Sequence, residues 1–226
     1  MAKKPKMFVA FVLDETGSMV DVWDETISGY NKYVDELAAD NTVRTRFTMA
    51  KFDSARYDLV HDAAKIGDIP HLTKSTYVPG AMTPLYDAIG KSIRAMEDAI
   101  ADEDDPRVCV TILTDGLENA SREYTFDTVQ KLIEGKKGDE WTFVFLGSEL
   151  SAVDLAVGLG VPRGNVAQYN QGAPQAAFAA AAMGTQSWTT GGGIASASFM
   201  SDAGVGDRIG WDDDDENDDA DNDEIK

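Results

Sequence analysis

Three short polar segments of this sequence carry side chains whose types and spacing could bind a metal ion. The segment DETGS, at positions 14–18, follows an apolar run and places oxygen-bearing side chains at alternate positions. The segments PGAMTP, at 79–84, and TDGLEN, at 114–119, add hydroxyl and carboxylate groups. Because alternate side chains of an extended chain point the same way, the first segment can direct three oxygen atoms to one side.

The chemistry of these side chains favours a small, hard cation. The candidate ligands are two carboxylates and three hydroxyls: Asp14, Thr16, Ser18, Thr83 and Asp115. None is a thiol or an imidazole, which argues against zinc. Such a set, completed by water, suits Mg²⁺ first, with Mn²⁺ or Ca²⁺ as alternatives. A single segment of this kind more often caps a helix than binds a metal, so the prediction requires all three to meet.

The apolar pattern indicates which elements position these segments. Continuous apolar runs at 7–13, 108–113 and 141–146 predict strands that are buried on both faces. Positions 45–52 alternate as a strand, and positions 58–63 are its predicted antiparallel partner. A further short strand is predicted at 165–169. Helices are predicted at 22–37, 84–100, 125–133, 152–159 and 174–183.

The alternation of strands and helices predicts an α/β fold with a doubly wound, mainly parallel central sheet. One antiparallel edge strand and helices on both faces complete this prediction. Ligands of such sheets bind beyond the carboxyl ends of the strands, where the three polar segments fall. The domain is predicted to span 1–190. A flexible Gly/Ser-rich linker is predicted at 191–210 and a disordered acidic tail at 211–226.

The charge of the chain limits its partners. The formal net charge is −20, of which the tail WDDDDENDDADNDEIK carries −9. A surface with this charge repels phosphate groups and anionic lipids. We therefore expect neither direct nucleic-acid binding nor membrane binding.

Two other features bear on the compartment. The basic N-terminal residues precede an apolar run of only seven residues, 7–13, which an acid ends. This pattern favours a buried strand over a signal peptide, and no apolar run approaches the ~20 residues that span a bilayer. The single cysteine, Cys109, lies among apolar residues and is interpreted as a core residue. We expect a cytoplasmic protein.

The three polar segments resemble the metal-ion-dependent adhesion site (MIDAS) of the von Willebrand factor A (VWA) domain family, in its bacterial and viral intracellular branch. That family has Asp-x-Ser-x-Ser on a first loop, threonine on a second and aspartate on a third. Here Thr16 replaces the first serine and keeps its hydroxyl. The resemblance covers roughly residues 7–190. It implies that Thr16, Ser18 and Thr83 bind the cation directly or through water, and that Asp14 and Asp115 act largely through bridging waters.

The resemblance also implies a function. One coordination position would stay open for a Glu or Asp of a partner protein, which makes the chain a non-catalytic protein-binding module. Without the cation, an approaching carboxylate would meet the like charges of Asp14, Glu15 and Asp115; with it, the approach becomes attractive. Intracellular members of the family often work beside AAA+ ATPases or in multiprotein assemblies, so that class of partner is implied.

Two other functions stay open from the sequence. The first is a metal-dependent phosphohydrolase. However, no general base is apparent near the three segments, and the two histidines, His61 and His71, are expected at the surface. We therefore expect no enzymatic activity. The second is a decoy or regulator that binds a basic or DNA-binding protein through its acidic tail.

Overall fold

The computed structural model describes residues 4–136, 140–147, 150–168 and 174–190, which form a six-stranded sheet covered by helices on both faces. The predicted linker and acidic tail lie outside the described residues. The strands are β1 (Lys6–Asp14), β2 (Arg44–Phe52), β3 (Tyr57–Lys65), β4 (Arg107–Thr114), β5 (Trp141–Gly147) and β6 (Val166–Gln168). The helices are α1 (Trp23–Ala39), α2 (Leu85–Ile100), α3 (Phe126–Gly135), α4 (Leu150–Gly158) and α5 (Pro174–Thr190).

The strand order is β3-β2-β1-β4-β5-β6. The edge strand β3 runs antiparallel to β2, and every other neighbouring pair is parallel. The predicted α/β fold with a doubly wound sheet and one antiparallel edge strand is thus confirmed. The chain leaves β1 towards β2 on one side and returns to its other side with β4. In sheets of this order, the crevice at such a reversal is where ligands bind.

The central strand β1 is buried on both faces, as its unbroken apolar sequence predicts. One set of its side chains packs against α1 and α5, and the alternate set packs against α2, α3 and α4. The first set is Met7, Val9, Phe11 and Leu13, and the second is Phe8, Ala10 and Val12, all at most 2% exposed. This two-sided burial holds the end of β1, and therefore the DETGS segment, in a fixed position.

Close packing of α1 against α5 requires a glycine. A Cβ at Gly29 would lie only 2.2 Å from the ring of Phe178, so any larger residue would push the two helices apart. Farther along the same contact, the hydroxyls of Tyr33 and Thr185 lie 3.3 Å apart. Cys109 is buried beside Thr185, and burial raises the pKa of its thiol to about 11. The prediction of a core cysteine is confirmed.

Two elements differ most in length from their predictions. Helix α5 continues to Thr190 rather than ending at 183, although the added residues are poor helix formers. Contacts with α1 explain the extension, because the side-chain amide of Gln186 donates a 2.7 Å hydrogen bond to the carbonyl oxygen of Glu36. Strand β3 extends from Tyr57 to Lys65, three residues longer overall than predicted. Within the described ranges, no helix is both long and apolar enough to cross a membrane.

Candidate metal centre

Backbone hydrogen bonds tie the three polar loops together at the carboxyl edge of the sheet. The N–H of Gly17 on the first loop donates to the carbonyl of Ala81 on the second, at 3.1 Å. The N–H of Asn119 on the third loop donates to the carbonyl of Thr83 on the second, at 3.0 Å. The second loop therefore contacts both of the others.

The structure brings the five predicted side chains into one cluster. Ser18 Oγ donates to Asp115 Oδ1 at 2.7 Å, and Thr16 Oγ1 lies 3.4 Å from Ser18 Oγ. Thr83 Oγ1 lies 3.3 Å from Thr16 Oγ1. Beneath them, Asp14 Oδ1 accepts a 2.7 Å hydrogen bond from the N–H of Thr16. The convergence is a fact of the structure, while the role of these residues as metal ligands stays a prediction.

Asp14 is the most deeply buried member of the cluster, with none of its surface exposed. Its Oδ2 accepts a 2.5 Å hydrogen bond from Thr114 Oγ1, and its backbone carbonyl accepts one of 2.7 Å from the hydroxyl of Tyr77. Burial raises the pKa of Asp14 to about 6, against the effect of the hydrogen bonds from Thr114 and Thr16; the negative charge of Asp115 raises it further. In the described part of the chain, no lysine or arginine pairs with this carboxylate.

The cluster has a ligand composition that suits a hard cation. A Cβ at Gly116 would lie 3.3 Å from Thr83 Oγ1 and 3.5 Å from Ser18 Oγ, so the glycine keeps a side chain out of the cradle between those hydroxyls. Among the residues that the structure describes, no group of three or more His, Cys, Asp or Glu could hold a metal. A site at this cluster would thus depend on hydroxyl ligands beside two carboxylates, which fits Mg²⁺ and does not fit zinc.

Glu15 does not face an approaching partner, and the expectation from the sequence was wrong on this point. Its side chain is 1% exposed, and its two carboxylate oxygens each lie 3.0 Å from a cationic nitrogen, one of Lys51 and one of Arg56. Its Oε1 also accepts a 2.7 Å hydrogen bond from the N–H of Val78. Of these three neighbouring acids, Asp14 and Asp115 belong to the cluster and Glu15 does not.

The Glu15 network links the first two loops to the end of β2. Lys51 is 8% exposed and donates a second hydrogen bond, of 2.7 Å, to the carbonyl of Thr76. This network was not predicted from the sequence, although Lys51 is the one charged residue of the buried stretch 47–52 of β2. In the sheet, Leu13 of β1 lies opposite Lys51 of β2. That register, which the sequence does not specify, brings Lys51 close to Glu15.

Sequence analysis also missed two further residues of the site. Thr114 was assigned to the loop but ends β4, where its hydroxyl holds Asp14. Its place next to Asp115 was the only signal available. Ala81, whose carbonyl accepts from Gly17, has a φ of 62°, in the left-handed region that favours glycine. This strained backbone lies beside the cluster, where such strain often accompanies a functional constraint.

The histidines lie elsewhere. His61 is on the edge strand β3, and His71 Nε2 lies 2.8 Å from Asp35 on α1. The side chain of His71 is 53% exposed. Neither belongs to the cluster.

Comparisons with solved structures identify the fold. The chain superposes on the von Willebrand factor domain of the type V pili tip protein Mfa5 from Porphyromonas gingivalis with a TM-score of 0.62 and 10% identity, over 85% of this chain and 99% of that one. The pilus adhesin SpaC from Lactobacillus rhamnosus GG matches with a TM-score of 0.61 and 12% identity, over 84% of this chain and 30% of that one.

A von Willebrand factor type A protein from Catenulispora acidiphila matches with a TM-score of 0.55 and 12% identity, over 82% of this chain and 43% of that one. No family model and no curated protein matches the sequence. At these identities the likeness concerns the fold. The chain has a fold of the von Willebrand factor A type.

Proposed function

We propose that this protein is a non-catalytic protein-binding module that holds Mg²⁺, or alternatively Mn²⁺ or Ca²⁺, at a MIDAS-type centre. Asp14, Thr16, Ser18, Thr83 and Asp115 would hold the ion. An acidic side chain of a partner protein would complete its coordination. The observation that carries the proposal is the convergence of these five side chains, one of which, Asp14, is a buried carboxylate that no lysine or arginine of the described chain neutralises.

The electrostatics of the cluster support a bound cation. A buried carboxylate without a positive partner is costly, and a divalent cation would remove that cost. Asp115 adds a second carboxylate to the same cluster. The bound ion would supply the positive charge that attracts a partner's carboxylate, which the apo cluster would repel.

The exposure of the cluster gives the direction of approach. Thr16 and Thr83 are 1% and 3% exposed, whereas Ser18 is exposed and Asp115 is partly exposed. A partner would therefore reach the ion from the side of Ser18 and Asp115. Asp14 would stay beneath the ion and fix the first loop through the N–H of Thr16.

Two different likenesses support different proposals for the partner and the compartment. The sequence resemblance implies a cytoplasmic module that works with an AAA+ ATPase or another multiprotein assembly. Two structural neighbours are pilus proteins, one a tip protein and one an adhesin, which makes adhesion outside the cell the alternative. In both cases the ion and the partner's carboxylate form the contact.

An enzyme is the less favoured function, because among the described residues neither Glu15 nor the two histidines are placed to act as a general base at the cluster. Glu15 is paired with Lys51 and Arg56, and both histidines lie outside the cluster. Turnover of a generic phosphoester with Mg²⁺ tests this directly. Activity that Asp14→Ala abolishes would establish a phosphohydrolase instead.

Calorimetric titration of Mn²⁺ and Mg²⁺ into the full chain tests the metal centre. The comparison uses the wild type, Asp14→Ala and, as a matched control, Asp21→Ala, which removes an exposed acid nearby. The acidic tail is identical in all three proteins, so its weak cation binding cancels. We expect one cation-binding site in the wild type and in the Asp21→Ala control. Asp14→Ala should lack this site. Equal titrations in three folded proteins would overturn the proposal.

A further inference from the structure

Four large apolar side chains are exposed on the loops that form the candidate metal centre. They are Val20, Val78, Met82 and Leu117, which are 51%, 51%, 54% and 50% exposed. We call them the apolar rim. Val20 follows Ser18 by two residues, Met82 precedes Thr83, and Leu117 follows Asp115 by two residues. Each of the three loops thus contributes at least one member.

The rim is not a consequence of loops that fail to pack. The same loops bury Met19 and Tyr77 completely, with no exposed surface. The backbone beside the rim is also held, since the N–H of Met82 donates to Ser54 Oγ at 3.1 Å. The loops therefore have room in the core for apolar side chains and still leave the rim outside.

The rest of the described surface shows how uneven this distribution is. The other large apolar residues that are exposed among the described ranges are Leu59, Val60, Val157 and Met183. They lie on β3, α4 and α5, so the other half of the eight lie in, or within two residues of, the segments 14–18, 79–84 and 114–119. Apolar side chains grouped on a strongly charged protein indicate an interaction surface.

We propose that the apolar rim selects a partner segment in which a single acidic residue is flanked by large apolar side chains. This inference rests on the proposed function, since the acid would bind the ion while its neighbours pack on the rim. The charge of the protein supports one acid rather than many, because a chain with net charge −20 repels a polyacidic segment. Contacts that surround a central pair and exclude water from it are a usual feature of specific interfaces.

The acidic tail of the chain fits the rim poorly. Residues 211–226 contain ten acids and only two large apolar residues, Trp211 and Ile225, which stand at opposite ends. If a tail carboxylate bound the ion, its neighbours in the sequence would set further acids against the rim. The favoured occupant is therefore a segment of another protein.

Selection from a random peptide display library tests the inference. The full chain is immobilised with Mg²⁺, and bound peptides are eluted with EDTA. The rim variant Val78→Thr/Met82→Gln/Leu117→Asn is compared with the matched control Val157→Thr/Met183→Gln/Leu59→Asn, which changes the same residue types away from the loops. Asp14→Ala is selected in parallel, and circular dichroism confirms the folding of every variant.

We expect the wild type and the control to enrich peptides with one Asp or Glu and a large apolar residue within three positions of it. The rim variant should bind the selected peptides about tenfold more weakly or worse. The role of the rim would be overturned by selected peptides that contain an acid but are not enriched in apolar residues. It would also be overturned if the rim variant bound the selected peptides as tightly as the wild type does. Neither result would contradict the proposed metal centre.

Other outcomes separate the two proposals. If EDTA elutes no pool, or if Asp14→Ala selects the same pool, the proposed function fails and the inference fails with it. A synthetic peptide of residues 211–226 that displaces the selected peptides at equal concentration would make the tail the occupant. If the wild type forms Mg²⁺-dependent dimers and the rim variant does not, the occupant of the rim would be a second copy of the chain. Either result would contradict a separate partner.

Discussion

Two neighbouring carboxylates at the end of β1 have opposite surroundings. Asp14 and Glu15 are 0% and 1% exposed. Glu15 Oε1 lies 3.0 Å from Lys51 Nζ, and Glu15 Oε2 lies 3.0 Å from Arg56 Nη2. Asp14 receives hydrogen bonds from Thr16 and Thr114 but has no cationic partner among the described residues, and burial raises its pKa.

The difference assigns different roles to the two acids. The protein neutralises Glu15 internally and uses it to hold the first two loops on the end of β2. Asp14 is buried at similar depth without that compensation, which is unfavourable unless a cation comes from outside. In our account, one acid stabilises the loops and the other is left for the ion.

Loss of the Glu15 carboxylate should have the largest effect on stability. Glu15→Gln leaves Lys51 buried without its counter-charge, and breaking a buried pair in this way costs about 3–5 kcal/mol. Urea unfolding measures the change. Glu123→Gln is the matched control, because Glu123 pairs with Lys91 at the surface and should contribute less than about 1 kcal/mol. Similar losses in both variants would contradict the structural role of Glu15.

Removing the Asp14 charge should raise the stability of the ion-free protein, whereas removing the Glu15 charge should lower it. The pKa of Asp14 is about 6 in the folded protein, above its usual 3.8, so the ion-free protein loses stability as the pH rises from about 4 through 6. In EDTA at pH 8, Asp14→Asn should therefore be more stable than the wild type by about 1–3 kcal/mol. The difference should vanish near pH 4.

Urea unfolding of both proteins across this pH range checks the prediction. Because the other acids are common to both proteins, their titration cancels in the difference. Addition of Mg²⁺ at pH 8 should stabilise the wild type alone. If the difference in unfolding free energy between Asp14→Asn and the wild type did not depend on pH, burial would not destabilise the charged form of Asp14.

A smaller effect, on Mn²⁺ affinity, is expected from a methyl group placed between the hydroxyls of Thr83 and Ser18. Gly116→Ala places a Cβ 3.3 Å from Thr83 Oγ1, so the hydroxyls must shift slightly and Mn²⁺ affinity should fall about tenfold. Gly80→Ala is the control, since a Cβ there meets nothing within 4 Å. Calorimetry of the two variants measures the contrast. Unchanged affinity for Gly116→Ala would place the ion elsewhere.

The sequence predicted the fold and the convergence of the five oxygen-bearing side chains because both depend on local pattern. The apolar run 7–13 determines a strand buried on both faces, and the oxygen-bearing segments follow the ends of strands that meet in a parallel sheet. The Glu15 pairs depend instead on the register of β1 against β2, which no local pattern specifies. The left-handed backbone at Ala81 could not be anticipated either, because alanine rarely adopts this conformation.

Anomalous diffraction from crystals of the full chain grown with Mn²⁺ tests the central claim most directly. The account predicts a single strong peak in the cluster, about 2.2 Å from Ser18 Oγ and Thr83 Oγ1 and close to Asp14 and Asp115. Ordered loops with no peak at this position, at millimolar Mn²⁺, would contradict it.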